Sequence, residues 1–472
     1  VILDTPTTDL DTYSPAFLAE LRRRFLTGPD TRSLVNKDYS DWLPFDWPLS
    51  FGRYVPGPIA LDKLSLTSIA QAFAEFERAS AALLVAQPSV GKQIMAGVTI
   101  HPELRDAYLN PATAPFSVRR LDLIVTPNGY VPNESDEMPG GFGLSYLLDM
   151  VHGVNKERWT ASLRFLTKRG PLLFLVSTDW SRPYLQEIFW LAETLAEQGL
   201  PVRMGTTGEL DKLEVQGSGV KFDGERIATV FRLFPIFEAR GPLVDLVLAA
   251  DQGLVRMMPE FASWANKTWY AMFWRHLGHY QSTMRQANFD LLREVLPRTT
   301  LLERDERGRI QLPVTFEFKD GTRHTIETVL QLLRLLPPQM RSRLVIKAAG
   351  ANTGSARCYT LAIGADHTAM SWSNVVGPML EAPVDLAPPG LYPVGSQPAA
   401  LILQEFARAG KVGLPMVDML NGGQLAVMPD ARLLARPWFV GGAPVSCPFI
   451  GVSDSRVLHG TTSANWTAGA IT

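Results

Sequence analysis

The chain has 472 residues, 46% of them hydrophobic and 19% charged, with a formal net charge of −2. This is ordinary for a globular protein with a sizeable core and room for about three domain-sized units. The near-neutral balance gives no case for binding nucleic acid or an anionic membrane surface, and the longest apolar runs fall well short of the roughly 20 residues of a membrane span.

Two cysteines, Cys358 and Cys447, make no disulfide framework and no zinc site, and they fit a reducing compartment. With no basic-then-apolar signal pattern in the first residues, the chain reads as cytoplasmic. In chain order, residues 1–117 are expected to form a mainly helical first region. Ser14-Pro15 opens one helix, whose Arg22–Arg24 run is a solvated face. An aromatic-rich loop over 39–54 carries Trp42 and Trp47, and an amphipathic helix follows over 64–85.

Residues 118–260 read as α/β. Leu121, Leu123 and Val125 alternate along a strand, Pro127-Asn128-Gly129 turns it back, and a second short strand runs into an acidic loop closed by Pro139-Gly140-Gly141. A helix over 144–152 follows. A strand over 171–177, a helix over 184–197 and a strand over 202–205 make a βαβ unit over a parallel sheet. Segments 215–223 and 226–233 read as a hairpin about Asp223-Gly224.

Residues 261–410 open on a Trp- and Lys-rich helix, ASWANKTWYAMFW. A polar strand pair over 312–325, a helix over 327–336 and an apolar strand over 343–348 come next. That strand runs into the glycine-bearing loop GANTGSARCYT. The Pro-rich stretch 382–398 is a boundary or a long surface loop. Strands are expected over 400–406, 424–427, 435–440 and 444–451, the last three in a final region, 411–472.

The residues that could carry chemistry lie at strand ends. The hairpin can bring Asp122, Glu134 and Asp136 together, and three carboxylates repel one another unless a cation sits between them. An all-oxygen set suits Mg²⁺, while a solvated acidic loop is the plain alternative. Lys347 ends an apolar strand, where an ammonium is costly unless it meets an anion. The following loop offers Gly350, Gly354 and Ser355 for close approach to phosphate, although it is not a Walker A sequence. An ordinary turn after a snorkelling lysine fits equally well. Gln404-Glu405 ends another apolar strand and could border a purine ring. Lys267 could be a second phosphate-facing cation or a lysine lying over aromatics. His276 and His279 are a structural pair, and no nucleophile elbow or Rossmann glycine pattern is present.

Taken as a set, these residues resemble the carboxylate–amine ligases of the ATP-grasp superfamily, in the glutathionylspermidine synthase-like branch with its permuted motif order. Arg120-Leu121-Asp122 and Glu134-Ser135-Asp136 match its Arg-x-Asp pair and acidic loop at the same twelve-residue step. Phe231 to Pro235 matches a Phe-Pro strand, Asn266-Lys267 an Asn-Lys segment, Lys347 with its loop a strand lysine, and Gln404-Glu405-Phe406 a hinge. Gly451 to Ser463 matches a late run loosely. Two departures stand out: Asp136 replaces an Asn, and a late arginine of the branch has no clean counterpart, with Arg456 nearby but shifted. The first 117 residues do not look like the amidase domain of some members.

The resemblance implies an α/β (α+β) ATP-grasp-like fold with mixed sheets, in which 261–410 forms the nucleotide-binding subdomains and 411–472 completes the core. It implies ATP and Mg²⁺, with the metal on Asp122, Glu134 and Asp136. Lys267, Lys347 and the Gly350, Gly354 and Ser355 loop would take the phosphates, Gln404 and Glu405 would flank adenine, and Arg120 would steady the transferred phosphoryl group. The implied reaction joins a small carboxylic acid to an amine through an acyl phosphate, with the loop after Lys347 and the Trp42 and Trp47 loop as covers against water. A phosphotransferase on the same fold and a non-catalytic nucleotide-binding protein are the alternatives. Self-association is left open by the sequence.

Overall fold

The computed structural model describes residues 53–55, 57–96, 98, 100–110, 116–136, 138, 140–178, 182–305, 309–335, 338–349, 361–364, 372–374, 376–377, 380, 400–418, 424–452 and 465–472. The expected helix at Ser14-Pro15, the Trp42 and Trp47 loop, Gly350, Gly354, Ser355, Cys358, Arg456 and the Pro-rich stretch lie outside them.

It is a mixed α/β fold with several sheets. The first long helix, α1, spans Lys63–Ala86, and its amino end is fixed by Asp62, whose carboxylate accepts from Leu64 N at 3.1 Å and Ser65 N at 2.9 Å. Leu66, Ile69, Phe73, Phe76, Ala79 and Leu83 recur at three- and four-residue steps and are buried.

The expected hairpin forms from β1, Val118–Thr126, and β2, Gly129–Asp136. Gly129 takes φ +130° at the turn, a conformation that glycine adopts without strain. Helices α2, Phe142–His152, and α3, Lys156–Thr167, follow. The parallel unit then runs through β3, Leu172–Val176, α4, Arg182–Glu197, and β4, Val202–Thr206. All five residues of β3 are buried, as a parallel strand covered on both faces requires.

The hairpin expected over 215–233 forms differently. Leu213–Gln216, Gly219–Phe222 and Glu225–Ile227 make a small antiparallel sheet, with the Asp223-Gly224 turn joining its last two strands. Beyond Ala228 the chain leaves it as β5, Thr229–Leu233, which pairs in parallel with β3. A run of five buried residues belongs inside the parallel sheet rather than at a solvated hairpin. Helix α5, Pro242–Asp251, and β6, Arg256–Met258, complete a sheet of order β6-β5-β3-β4.

The Trp-rich segment is shorter as a helix than its sequence suggests. A 3-10 turn, Ser263–Ala265, precedes α6, Thr268–Arg275, and Lys267 sits at the break as the helix cap. Asn266 makes the break: its side chain accepts from Thr268 N at 3.0 Å and donates to Ile94 O at 2.8 Å. Next come β7, Thr299–Leu302, and the antiparallel pair Val314–Glu317 with Arg323–Ile326. The helix expected over 327–336 is a five-residue π-turn at Gln331–Leu335. A second antiparallel sheet has the order β7, then Leu401–Glu405, then Leu344–Ala348, then Leu361–Ile363. The last three are β8 (Leu344–Ala348), β9 (Leu361–Ile363) and β10 (Leu401–Glu405).

The tail holds longer strands than expected: β11, Lys411–Asp418, and β12, Gln424–Ala435, followed by β13, Trp438–Val440, β14, Ala443–Ser446, and β15, Phe449–Val452. They join β1 and β2 in one sheet, in which β1 lies between β12 and β13. The acidic hairpin is therefore built into the carboxy-terminal strands, some three hundred residues away in sequence.

Candidate active site

Residues 119 and 120 point to opposite faces of β1, because strand side chains alternate. Arg119 enters the interior, where its Nε meets Glu77 Oε1 of α1 at 2.8 Å and its Nη1 meets Glu260 Oε2 at 2.5 Å. Arg120 turns to the other face. Its Nε donates to Asp122 Oδ1 at 2.9 Å, its Nη1 to Gly140 O at 2.5 Å, and its Nη2 to Asp136 Oδ2.

The β1–β2 register pairs Arg120 with Asp136 and Asp122 with Glu134, so these four side chains share one face. The pairing slips between Asp122 and Leu123, and on the β2 side the extra residue is Asn133, between Glu134 and Pro132. A bulge lets consecutive side chains turn toward one place. Asn133 and Glu134 do so, Asn133 Oδ1 accepting from Lys347 Nζ at 2.6 Å and Glu134 Oε2 pairing with Lys267 Nζ at 2.9 Å.

The two lysines meet because Lys267 N donates to Ala349 O at 2.9 Å, which ties the start of α6 to the end of β8. Lys347 is 5% exposed. Burial, and then the neighbouring Lys267 charge, pull its pKa down from 10.5 to about 7, with Glu134 opposing them. Burial alone would raise the Glu134 carboxyl, but Lys267, with Lys347 and Arg120 beyond, holds it at about 2. Lys347 is thus a buried amine beside another cation, with an amide oxygen as its hydrogen-bond partner.

Sequence reading gave no place to a second guanidinium here. Arg436, in the short link between β12 and β13, donates its Nε to Asp122 Oδ1 at 3.2 Å and lies over the Trp466 ring. The register Ala435 to Leu123 and Trp438 to Arg120 brings it there, and no sequence spacing carries that signal. Glu187 of α4 was also missed. It accepts from Gly141 N at 2.6 Å and Leu144 N at 2.8 Å, capping α2, and burial raises its pKa to about 7. Gly143 permits this contact: a Cβ there would stand 2.4 Å from Glu187 O.

Arg120, Asp122, Glu134, Asp136, Lys267 and Lys347 therefore come together. The charges between the three carboxylates are supplied by the protein itself, through Arg120, Arg436 and Lys267, so the mutual repulsion of these acids does not by itself call for a metal. Among the described residues no three His, Cys, Asp or Glu side chains form a metal cluster. The donor set is all oxygen, the chemistry a hard divalent cation takes, and two of its members, Asp122 and Glu134, are cross-strand neighbours. Each of the three Arg120 nitrogens is engaged, by two carboxylates and a carbonyl, which makes it a positioning group for Asp122 and Asp136.

Gln404 and Glu405 part company. Gln404 opposes Val345 on β8, so it lies on the same sheet face as Lys347, where its Nε2 donates to Thr299 Oγ1 at 3.1 Å. Glu405 faces the other way, toward Lys319 N at 3.3 Å and Arg343 Nη2 at 3.6 Å.

No family model and no curated protein matches the sequence. Among solved structures, the chain is similar to a glutathione synthetase-like effector from Globodera pallida, at 13% identity over 89% of this chain and 90% of that one, with a TM-score of 0.47. It is also similar to a candidate gamma-glutamylcysteine synthetase from Methylobacillus flagellatus KT, at 13% identity over 81% and 84% of the two chains, with a TM-score of 0.38. Among the described residues no helix is long and apolar enough to cross a membrane.

Proposed function

We propose that this protein is an ATP-dependent carboxylate–amine ligase. The observation that carries the reading is the pair Lys267 and Lys347, joined at the hairpin that bears Asp122, Glu134 and Asp136. Two adjacent ammonium groups, one of them buried without a carboxylate of its own, are an electrostatic demand for a polyanion such as a triphosphate. Along α6, Lys267, Ala271, Trp274 and Arg275 share one face by their spacing. A cavity of about 420 Å³ opens beside the last three, against Arg298 and Thr299, leaving room for the nucleoside end.

In the proposed reaction a carboxylate oxygen of the acid attacks the γ-phosphorus, ADP leaves, and an acyl phosphate forms. A neutral amine then attacks the acyl carbon, phosphate departs, and one proton is released. Mg²⁺ on Asp122, Glu134 and Asp136 would supply charge neutralisation at the phosphates. The chain's own part is positioning and charge. Lys267 and Lys347 bind the phosphates, Arg120 holds Asp122 and Asp136 in place, and Arg436 is the guanidinium left to face the transferred group. The cationic balance of the site implies that Mg²⁺ alone binds weakly and Mg·ATP well.

The test is a set of thermal melts with Mg·ATP, Mg²⁺ alone and ATP with chelator, followed by ADP release with acid–amine pairs. A ligand at a hundred times its Kd stabilises by about 2.7 kcal/mol. The reading expects a shift with Mg·ATP, none with Mg²⁺ alone, and ADP release that depends on both substrates. ADP release that needs no amine would favour a phosphotransferase, and no shift under any condition would end the nucleotide reading.

A further inference from the structure

At the amino-terminal edge of the parallel sheet, away from the hairpin's lysines, the chain turns into β3, β5 and β6 around a cavity of about 590 Å³. This is a size suited to a small molecule. Arg169, Arg226 and Arg256 line it, and the sole acid among the lining residues is Glu225. That acid is already engaged: Arg203, which does not line the cavity, grips it with two bonds of 2.7 and 2.8 Å.

Among the described residues none of the three lining arginines forms an ion pair with a carboxylate, and Glu260, which acts on Arg256 through its charge, is itself paired with Arg119. Arg169 and Arg226 are exposed, and neither side chain makes an ion pair or hydrogen bond among the described residues. Arg256 lies over the Phe165 ring at 4.1 Å and reaches Phe165 O at 3.4 Å. That contact answers the carboxy-terminal end of α3, where a cation is favourable, and it uses only one of the five donors of the guanidinium. Burial, and then the Arg169 charge, push the Arg256 pKa down, with Glu260 opposing them, so the two cations are close enough to repel. Three guanidinium groups around one concavity, with Glu225 gripped by Arg203 and Glu260 by Arg119, are arranged for an anion of more than one charge, which guanidinium forks bind in bidentate fashion.

We infer that this cavity is a second binding site, for a small polyvalent anion of the pyrophosphate class, held by Arg169, Arg226 and Arg256. It is independent of the ligase reading and lies on different elements. The experiment is calorimetric titration of inorganic pyrophosphate, without metal, into the full chain, the Lys347→Met variant and an Arg169→Gln/Arg226→Gln variant. Both of these arginines are exposed, so the double change leaves the core intact.

The expected result is a site that persists in Lys347→Met and weakens at least tenfold in the double variant, with affinity falling as salt rises. Orthophosphate should bind more weakly than pyrophosphate at the same site. Pyrophosphate binding that disappears in Lys347→Met, or that stays within twofold in Arg169→Gln/Arg226→Gln, overturns the proposal.

Discussion

If Lys347 binds the phosphates as proposed, its depressed pKa makes that binding a proton-uptake reaction. In the free protein the amine titrates near 7. A phosphate against it favours the charged form and moves the pKa back toward its ordinary value of about 10.4. At pH 8 the free amine is about nine-tenths neutral, so binding should take up about 0.9 proton per site. Between pH 7 and the restored pKa the affinity should then fall about tenfold per pH unit, or about 1.4 kcal/mol. Calorimetry at pH 8 and 9, in two buffers of different ionisation enthalpy, measures the uptake directly. In Lys347→Met the uptake should vanish, and binding at pH 7 should weaken by about 1.5–3 kcal/mol, the worth of a hydrogen bond to a charged group. Stability of the free protein supplies an independent sign. Between about 7 and 10.5 the unfolded chain holds a proton on Lys347 that the folded chain does not, so stability rises with pH in that window. Lys347→Met should lose that rise. Binding without proton uptake at pH 8, or an uptake that survives in Lys347→Met, would mean that the Lys347 amine does not take the proton.

Two further outcomes follow from named contacts. Arg436→Ala removes the guanidinium that shares Asp122 with Arg120. Turnover should fall a hundredfold or more, about 2.7 kcal/mol, while the Kd for Mg·ATP stays within about threefold; equal losses in both would mean that Arg436 only holds the hairpin. Glu77, buried against Arg119, has its carboxyl raised from 4.5 to about 7, by burial first, with Arg119 opposing and Glu260 adding to the rise. The folded state therefore binds the extra proton between those values, and stability should fall as pH rises through that window, by at most about 1.4 kcal/mol per unit from this group. Urea melts at pH 5 and 7 should show a smaller difference for Glu77→Gln than for wild type, and an unchanged difference would reject the assignment.

The sequence was most readable where signals are local. Alternation in Leu121, Leu123 and Val125 and the Pro127-Asn128-Gly129 turn specify the hairpin. The apolar run before Lys347 specifies its strand, and the 172–206 pattern specifies the parallel unit. It failed where tertiary context decides. Nothing near Ala228 says that β5 leaves a hairpin to pair with β3, because Thr229-Val230-Phe231-Arg232-Leu233, with its alternating Thr, Phe and Leu, fits either place until a covering layer exists. Arg436 was invisible for a related reason: its place depends on β12 running on to Ala435 and β13 starting only at Trp438, whereas the sequence reads as one strand over 424–427 and another over 435–440 that takes in Arg436. Gln404 and Glu405, adjacent in sequence and read as one unit, are separated by the alternation of the strand that carries them.

That same alternation links the hairpin's stability to its chemistry. A one-residue slip of β1 would exchange the faces of Arg119 and Arg120. Arg119 is held inside by two glutamates from distant elements, Glu77 on α1 and Glu260 beyond β6. Glu77 and Glu260 also accept from Phe116 N at 2.8 Å and Ser117 N at 2.9 Å, fixing the backbone just before β1 as well as its first arginine. A slipped register would leave two buried carboxylates without their guanidinium, a loss of about 3–5 kcal/mol for each broken buried pair. The buried network on one face of β1 therefore sets which residues the other face offers, and Arg120, Asp122, Glu134 and Asp136 share a face because Arg119 cannot.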